Sequence, residues 1–179
     1  SNDPDLVPLA KGILEGSTRM TEVVNSMLDV SRIDNQTLKV MPANIEIKHL
    51  ITRVRDTFEA ALAERSLTLI TAGLEGLPQI QADPDLLFKV FYHLFMNAIK
   101  YTPDGGQITI KGRVVEETAE APEIEVVMSD TGIGIAAEYH ELIFEKFFQT
   151  GEVFSHSSGK TKFKGGGPGL GLAIARGIV

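Results

Sequence analysis

Asp83-Pro84 opens, and Pro103-Asp104-Gly105-Gly106 closes, a stretch of chain with no helix breaker inside it. A carboxylate followed by proline is a helix start, because the aspartate caps free amides and the proline has no amide to satisfy. The closing run is turn chemistry, so the spacing predicts a helix over 84–101. At about 100° per residue, Leu87, Phe91, Leu94, Phe95 and Ala98 make its apolar side. His93, Asn97 and Lys100 make a narrow polar stripe opposite, bordered by Tyr101. An amide oxygen between an imidazole and an ammonium suits an oxygen-coordinated Mg2+ and a phosphate chain. Asn97 would ligate the metal and Lys100 would neutralise phosphate oxygens. A solvated helix face carries the same residue types, and this helix alone leaves both readings open.

Upstream, residues 5–34 read as one long helix in which Ile13, Met20 and Met27 recur every seven positions. Such a stripe is the seam of a coiled coil or bundle, or else the inner face of a terminal helix packed on its own domain. Pro42 ends that pattern. Short strands are predicted at 44–47, 67–71 and 79–82, with a helix at 48–65 burying Leu50, Ile51, Val54, Phe58, Ala61 and Leu62. After 106, strands at 107–115 and 123–129 flank an acidic loop. A short helix near 137–143, a phenylalanine cluster, a long polar stretch at 150–167 and a final helix at 169–179 follow.

Three further constellations bear chemistry. Ser129-Asp130-Thr131-Gly132-Ile133-Gly134-Ile135 ends a strand. A carboxylate there can accept from an exocyclic amino group such as that of adenine, and the glycines let backbone approach a flat base. Gly165-Gly166-Gly167-Pro168-Gly169-Leu170-Gly171 precedes a helix, where free amides and the helix dipole favour phosphate. Phe144, Phe147 and Phe148 would anchor one end of a moving loop whose Lys146, Lys160, Lys162 and Lys164 suit closure over a triphosphate. An ordinary turn, a hinge and a solvated loop remain open for each motif alone.

Composition narrows the field. Seventeen Lys and Arg against 24 Asp and Glu give a net charge of −7, which argues against a general nucleic-acid-binding face. With no cysteine there is no disulfide or thiolate metal site. No apolar run reaches the ~20 residues of a membrane-spanning helix.

In this order the motifs resemble the ATP-binding catalytic domain of sensor histidine kinases, in the superfamily that also holds gyrase, the heat-shock chaperone and MutL. Residues 93–106 (HLFMNAIKYTPDGG) are similar to its N box and 130–135 (DTGIGI) to its first glycine box. Residues 144–150 (FEKFFQT) resemble the F box, 167–174 (GPGLGLAI) the second glycine box, and 28–34 (LDVSRID) the end of the second dimerisation helix. The resemblance implies an α/β two-layer sandwich, a mixed and mainly antiparallel sheet on a helical layer, preceded by one long helix. Residues 1–40 would be a partial dimerisation and phosphotransfer helix with its linker, and 41–179 the ATP-binding domain. Asn97 would hold Mg2+, Lys100 would contact phosphate, Tyr101 would flank the nucleotide and Asp130 would recognise the adenine amino group. Gly132 and Gly134 would line the base pocket, and Gly167, Gly169, Leu170 and Gly171 would face the phosphates. The implied partners are ATP, a second copy through the first helix and a response regulator receiver domain. Nucleic acid and direct membrane contact are not implied. A cytoplasmic location is expected, whether or not the whole protein is anchored.

Four departures qualify the resemblance. None of His49, His93, His140 and His156 lies in a His-Glu acceptor motif, so the chain is expected to begin within or after the loop before the second dimerisation helix, and not to phosphorylate itself in cis. His93 stands where hydrolytic relatives carry a general-base Glu, which favours phosphotransfer over hydrolysis and suggests a role beside the metal or its water. Pro168 replaces the usual Thr or Ser, removing a hydroxyl and an amide. The family's last strands are expected to be missing. An ATP-hydrolysing switch and a degenerate docking module remain as alternatives.

Overall fold

The computed structural model describes residues 6–115, 123–149, 161–163 and 167–179. The chain divides into two compact units, Ser1–Leu38 and Lys39–Val179. In the first, helix α1 runs over Leu6–Asp34, with Pro8 confined to its first turn where a missing amide is harmless. Gln36 at φ 53° ends it, and the Thr37 amide bonds back to the Arg32 carbonyl at 2.9 Å. Within this unit Ile13, Met20 and Met27 are exposed, Met20 by 71%.

The second unit is a sheet under a helical layer. Strands β2 (Thr68–Ala72), β4 (Gln107–Val115) and β5 (Glu123–Asp130) form a three-stranded sheet in the order β2-β4-β5. The β2–β4 pairing is parallel and the β4–β5 pairing antiparallel. Strands β1 (Ala43–Ile45) and β3 (Ile80–Ala82) make a separate antiparallel pair. Helices α2 (Ile47–Glu64) and α3 (Pro84–Tyr101) cover one sheet face. Alternation along β4 decides that face, because Ile108 and Ile110 are fully buried while Lys111 and Arg113 point out.

The core joins Ile51, Val54 and Phe58 of α2 to Phe91, Phe95 and Ile99 of α3 over these strand residues. Phe58 and Phe95 stack at 5.8 Å. The expected layer architecture and mixed sheet are therefore present.

Three elements differ from expectation. The strand expected at 44–47 is β1 at 43–45, and Ile47 instead opens α2, where its side chain joins the buried face. Residues 137–144 form two 3-10 turns, Ala137–Tyr139 and Leu142–Phe144, instead of one continuous short helix. Neither has a side-chain cap, and so short a stretch cannot recover the cost of helix nucleation. The last helix, α4, begins two residues later than expected, at Gly171–Ile178, because Gly169 sits at φ 70°, outside helical space. The acidic loop at 116–122 and most of the polar stretch, 150–160 and 164–166, lie outside the described residues.

Helix α3 begins as its sequence requires. Asp83 Oδ1 accepts from the amides of Asp85 (2.9 Å) and Leu86 (3.0 Å), and Oδ2 from Met41 (2.7 Å), tying the chain before β1 to the helix start. These bonds, Met41 foremost, hold the Asp83 carboxyl below its ordinary value of 3.8. A carboxyl depressed in the fold contributes stability above its unfolded value, and loses it as pH falls through the folded value. Asp83→Ala should cost about 1 kcal/mol in urea unfolding at pH 7. The deficit should shrink below about pH 4; a deficit independent of pH would show that the charge is not involved.

Candidate nucleotide site

The last turn of α3 is where the site is assembled. A helix leaves its final carbonyls unpaired, and here neighbouring segments supply the donors. The Ile133 amide bonds to the Tyr101 carbonyl at 3.1 Å, which brings the Asp130–Gly134 loop against the end of α3. That loop is also fastened to the start of β4: the Thr131 amide reaches the Gln107 carbonyl at 3.0 Å, and the Gln107 amide the Thr131 hydroxyl at 2.9 Å. Inside it, Asp130 Oδ1 accepts the Gly132 amide at 2.8 Å. Among the described residues no hydrogen bond engages Oδ2, and Asp130 is exposed.

Glycine at 132 is required by space. A Cβ there would lie 2.4 Å from Asp130 Oδ1 and 2.6 Å from the Tyr101 carbonyl oxygen. Gly134 has open space instead and is needed for its φ of 69°.

The second glycine segment meets the polar stripe of the same helix. A Cβ at Gly171 would lie 3.1 Å from His93 Nδ1, and one at Gly167 would lie 3.3 Å from Lys100 Nζ. His93 and Lys100, two turns apart on one helix face, therefore both abut this segment. Asn97 lies between them on that face, half-buried, and no hydrogen bond among the described residues uses its amide. Lys100 is 8% exposed and its ammonium sits 5.1 Å from the Tyr101 ring centre. The stripe is thus not a solvated face at its C-terminal end. Tyr101 is half-buried, and burial pushes its phenol up from 10.0.

Leu170 is 1% exposed, so only its backbone can face a ligand. Gly169 is held against the phenylalanine cluster. The Phe147 amide bonds to its carbonyl at 2.9 Å, and a Cβ on it would lie 2.7 Å from the Phe148 carbonyl oxygen. Gln149 Nε2 reaches the Gly167 carbonyl at 2.6 Å. Phe144 lies under Arg176 of α4 at 5.4 Å. Phe147 is 58% exposed at φ 63°, so the cluster anchors the glycine run mainly through backbone. Lys160 and Lys164, expected beside a triphosphate, lie outside the described residues.

The residues present fit a magnesium nucleotide. The described residues hold no group of three or more His, Cys, Asp or Glu that could bind a metal. A cation here would depend on one amide oxygen, phosphates and water, the usual state of Mg2+. A different hollow of about 570 Å³ lies on the outer sheet face, lined by Thr109, Lys111, Arg113, Glu125 and Ser129 among others, away from α3.

The structure brings His93 and Lys100, singled out by sequence patterning, against the second glycine segment, and Tyr101 against the first. The pairings of Gln107 with Thr131 and of Gln149 with Gly167 are not legible in the motifs, because they depend on strand register and on contacts across the fold.

Residues 82–179 match the family of histidine kinase-, DNA gyrase B- and HSP90-like ATPases. The chain belongs to this family. Among individual relatives, it is 32% identical over 160 residues to the adaptive-response sensory kinase SasA of Crocosphaera subtropica, which covers 89% of this chain and 38% of SasA. It is 30% identical over 166 residues to the sensor histidine kinase CusS of Escherichia coli K12, covering 93% of this chain and 32% of CusS. The hybrid signal transduction histidine kinase D of Dictyostelium discoideum is 31% identical over 162 residues, of which this chain spans only 10%. The chain thus represents well under half of each of these relatives. Full-length ShkA, solved in complex with AMPPNP, shares the fold with a TM-score of 0.78 at 23% identity, covering 96% of this chain and 33% of that one. The histidine kinase ThkA, solved with the response regulator TrrA, superposes with a TM-score of 0.67 at 21% identity over all of this chain and 46% of ThkA. The resemblance to an ATP-binding catalytic domain of sensor histidine kinases is therefore borne out. No helix among the described residues is long and apolar enough to cross a membrane.

Gly132→Ala tests the close packing of the first glycine loop. The Cβ must displace Asp130 or the end of α3, a strain of about 1–3 kcal/mol. Adenine-nucleotide affinity measured by calorimetry should fall by about tenfold or more, and wild-type affinity would refute the tight fit.

Proposed function

We propose that the stripe on α3 and the two glycine segments hold Mg-ATP. In the whole protein, this site would present the γ-phosphoryl to a histidine of the dimerisation helices, for relay to a response regulator aspartate. The observation that carries the reading is the approach of Lys100 to Gly167 and of His93 to Gly171. One helix face thereby meets a backbone segment that leads into the N-terminus of α4, and both attract phosphate.

The division of labour follows from position. Asp130 Oδ2 accepts from the adenine amino group, while Oδ1 stays on the Gly132 amide and fixes the carboxylate's angle. Tyr101 packs beside the base, and Lys100 offsets phosphate charge from a half-dry site. Asn97 offers its amide oxygen to the cation, which when bound neutralises phosphate charge and draws the oxygens into one geometry. The transfer itself forms a bond from imidazole nitrogen to phosphorus and breaks the bond to the β,γ-bridging oxygen, releasing ADP. The chain's contribution is positioning and charge stabilisation.

Position 93 carries no glutamate of the kind that serves as general base in hydrolytic relatives, and His93 packs against Gly171 and edge-on to Tyr92 at 5.7 Å, which supports transfer over water activation. Homodimerisation through α1 is supported by the exposed stripe of Ile13, Met20 and Met27.

Asp130→Asn presents a mixed donor and acceptor where the base needs an acceptor. Its preference for ATP over GTP should fall by about tenfold, the worth of one hydrogen bond to a charged group. Asn97→Ala should weaken binding in the presence of Mg2+ more than in EDTA. Unchanged base preference in the first variant, or an equal loss with and without metal in the second, would contradict the assignment. Steady phosphate release without any acceptor would favour an ATP-hydrolysing switch instead.

A further inference from the structure

Arg65 follows α2 and would be read from sequence as a basic residue near a helix end, yet its side chain is only 6% exposed. Its guanidinium has five N–H donors in a rigid fork, and the structure distributes them over three segments. Nη1 donates to the Ile99 carbonyl and, at 3.0 Å, to the Thr161 carbonyl. Nη2 donates to the Thr102 carbonyl at 2.6 Å. Nε donates to Asp104 Oδ1 at 2.8 Å, and Asp104 is 73% exposed and supplies the counter-charge. The Phe163 ring lies 5.8 Å from the guanidinium carbon. The Arg65 carbonyl in turn accepts the Gly105 amide at 3.0 Å.

We propose that Arg65 is a positioning residue for the nucleotide site. It touches none of the groups assigned to ATP. It satisfies a carbonyl on either side of Lys100 and Tyr101, and so fixes the angle at which that turn presents both residues to the glycine segments. The same nitrogen that caps Ile99 also holds Thr161, so residues 161–163 and the end of α3 share one anchor. Lysine cannot replace it. A single ammonium cannot reach the Ile99, Thr102 and Thr161 carbonyls in the planar fork geometry, and a dropped carbonyl is left buried without a donor.

The inference rests on the nucleotide reading of the site, and the experiment separates the two. Arg65→Lys and Phe163→Leu are compared with the unaltered chain, each held well below its unfolding midpoint. Mg-ATP affinity is measured by calorimetry and backbone protection by amide hydrogen exchange. Arg65→Lys should exchange faster at both 98–102 and 161–163 and bind Mg-ATP about tenfold more weakly, as expected for one misplaced charged contact. Phe163→Leu should exchange faster at 161–163 alone and weaken binding about two- to threefold, the scale of one cation–π contact. A folded Arg65→Lys with a lower midpoint but unchanged affinity would make the residue merely structural and overturn the proposal. Should that variant not fold, Phe163→Leu decides, and unaltered affinity overturns it. If the unaltered chain binds no Mg-ATP, the nucleotide reading fails; faster exchange at only one segment in Arg65→Lys would then refute the shared anchor independently.

Discussion

The end of α3 has to be closed by other parts of the chain, and much of the second unit is arranged around that requirement. Phe95 and Ile99, both fully buried, lock the helix to the sheet, so its terminal carbonyls cannot turn to water. Ile133 and Arg65 supply donors, from a loop after β5 and from the end of α2. A buried carbonyl left without a donor costs about 1–3 kcal/mol, so each of these contacts is strongly specified. In closing the helix, the chain also delivers Asp130 and the first glycine loop to the turn that carries Lys100 and Tyr101. Satisfying backbone polarity and building a ligand site are here the same act.

The stripe opposite the core then acquires its neighbours from the far end of the chain. Leu170 and Ile174 are buried, drawing α4 down and leaving Gly167 and Gly171 against Lys100 and His93. The phenylalanine cluster holds the run from the other side through the pairing of Phe147 with Gly169. Two stretches distant in sequence thus converge on two turns of one helix, and the helix itself supplies the third part of the site. Each contributes what its local chemistry provides: a carboxylate, backbone amides with a helix start, and a lysine largely removed from water.

Legibility in the sequence followed the range of the forces involved. The bounds of α3 were readable because Asp83, Pro84 and the turn at 103–106 act on their immediate neighbours. The start of β4 after that turn was readable for the same reason. The break of the 137–144 segment into two 3-10 turns is not legible, because apolar spacing says nothing about whether so short a helix can nucleate. The pairing of Gln107 with Thr131 and the part played by Arg65 were invisible. Arg65 reaches carbonyls 34, 37 and 96 residues away, and no local pattern encodes that. The glycines were legible as motifs, but the reasons for them differ: space at 132, backbone angle at 134, and both at 169.

A crystal structure of the chain with Mg2+ and a non-hydrolysable ATP analogue tests the central claim most directly. The base amino group should lie on Asp130 Oδ2, and the phosphates between the Asn97–Lys100 face and residues 167–171. Nucleotide seated instead in the hollow on the outer sheet face, beside Lys111 and Arg113 and with α3 untouched, would contradict it.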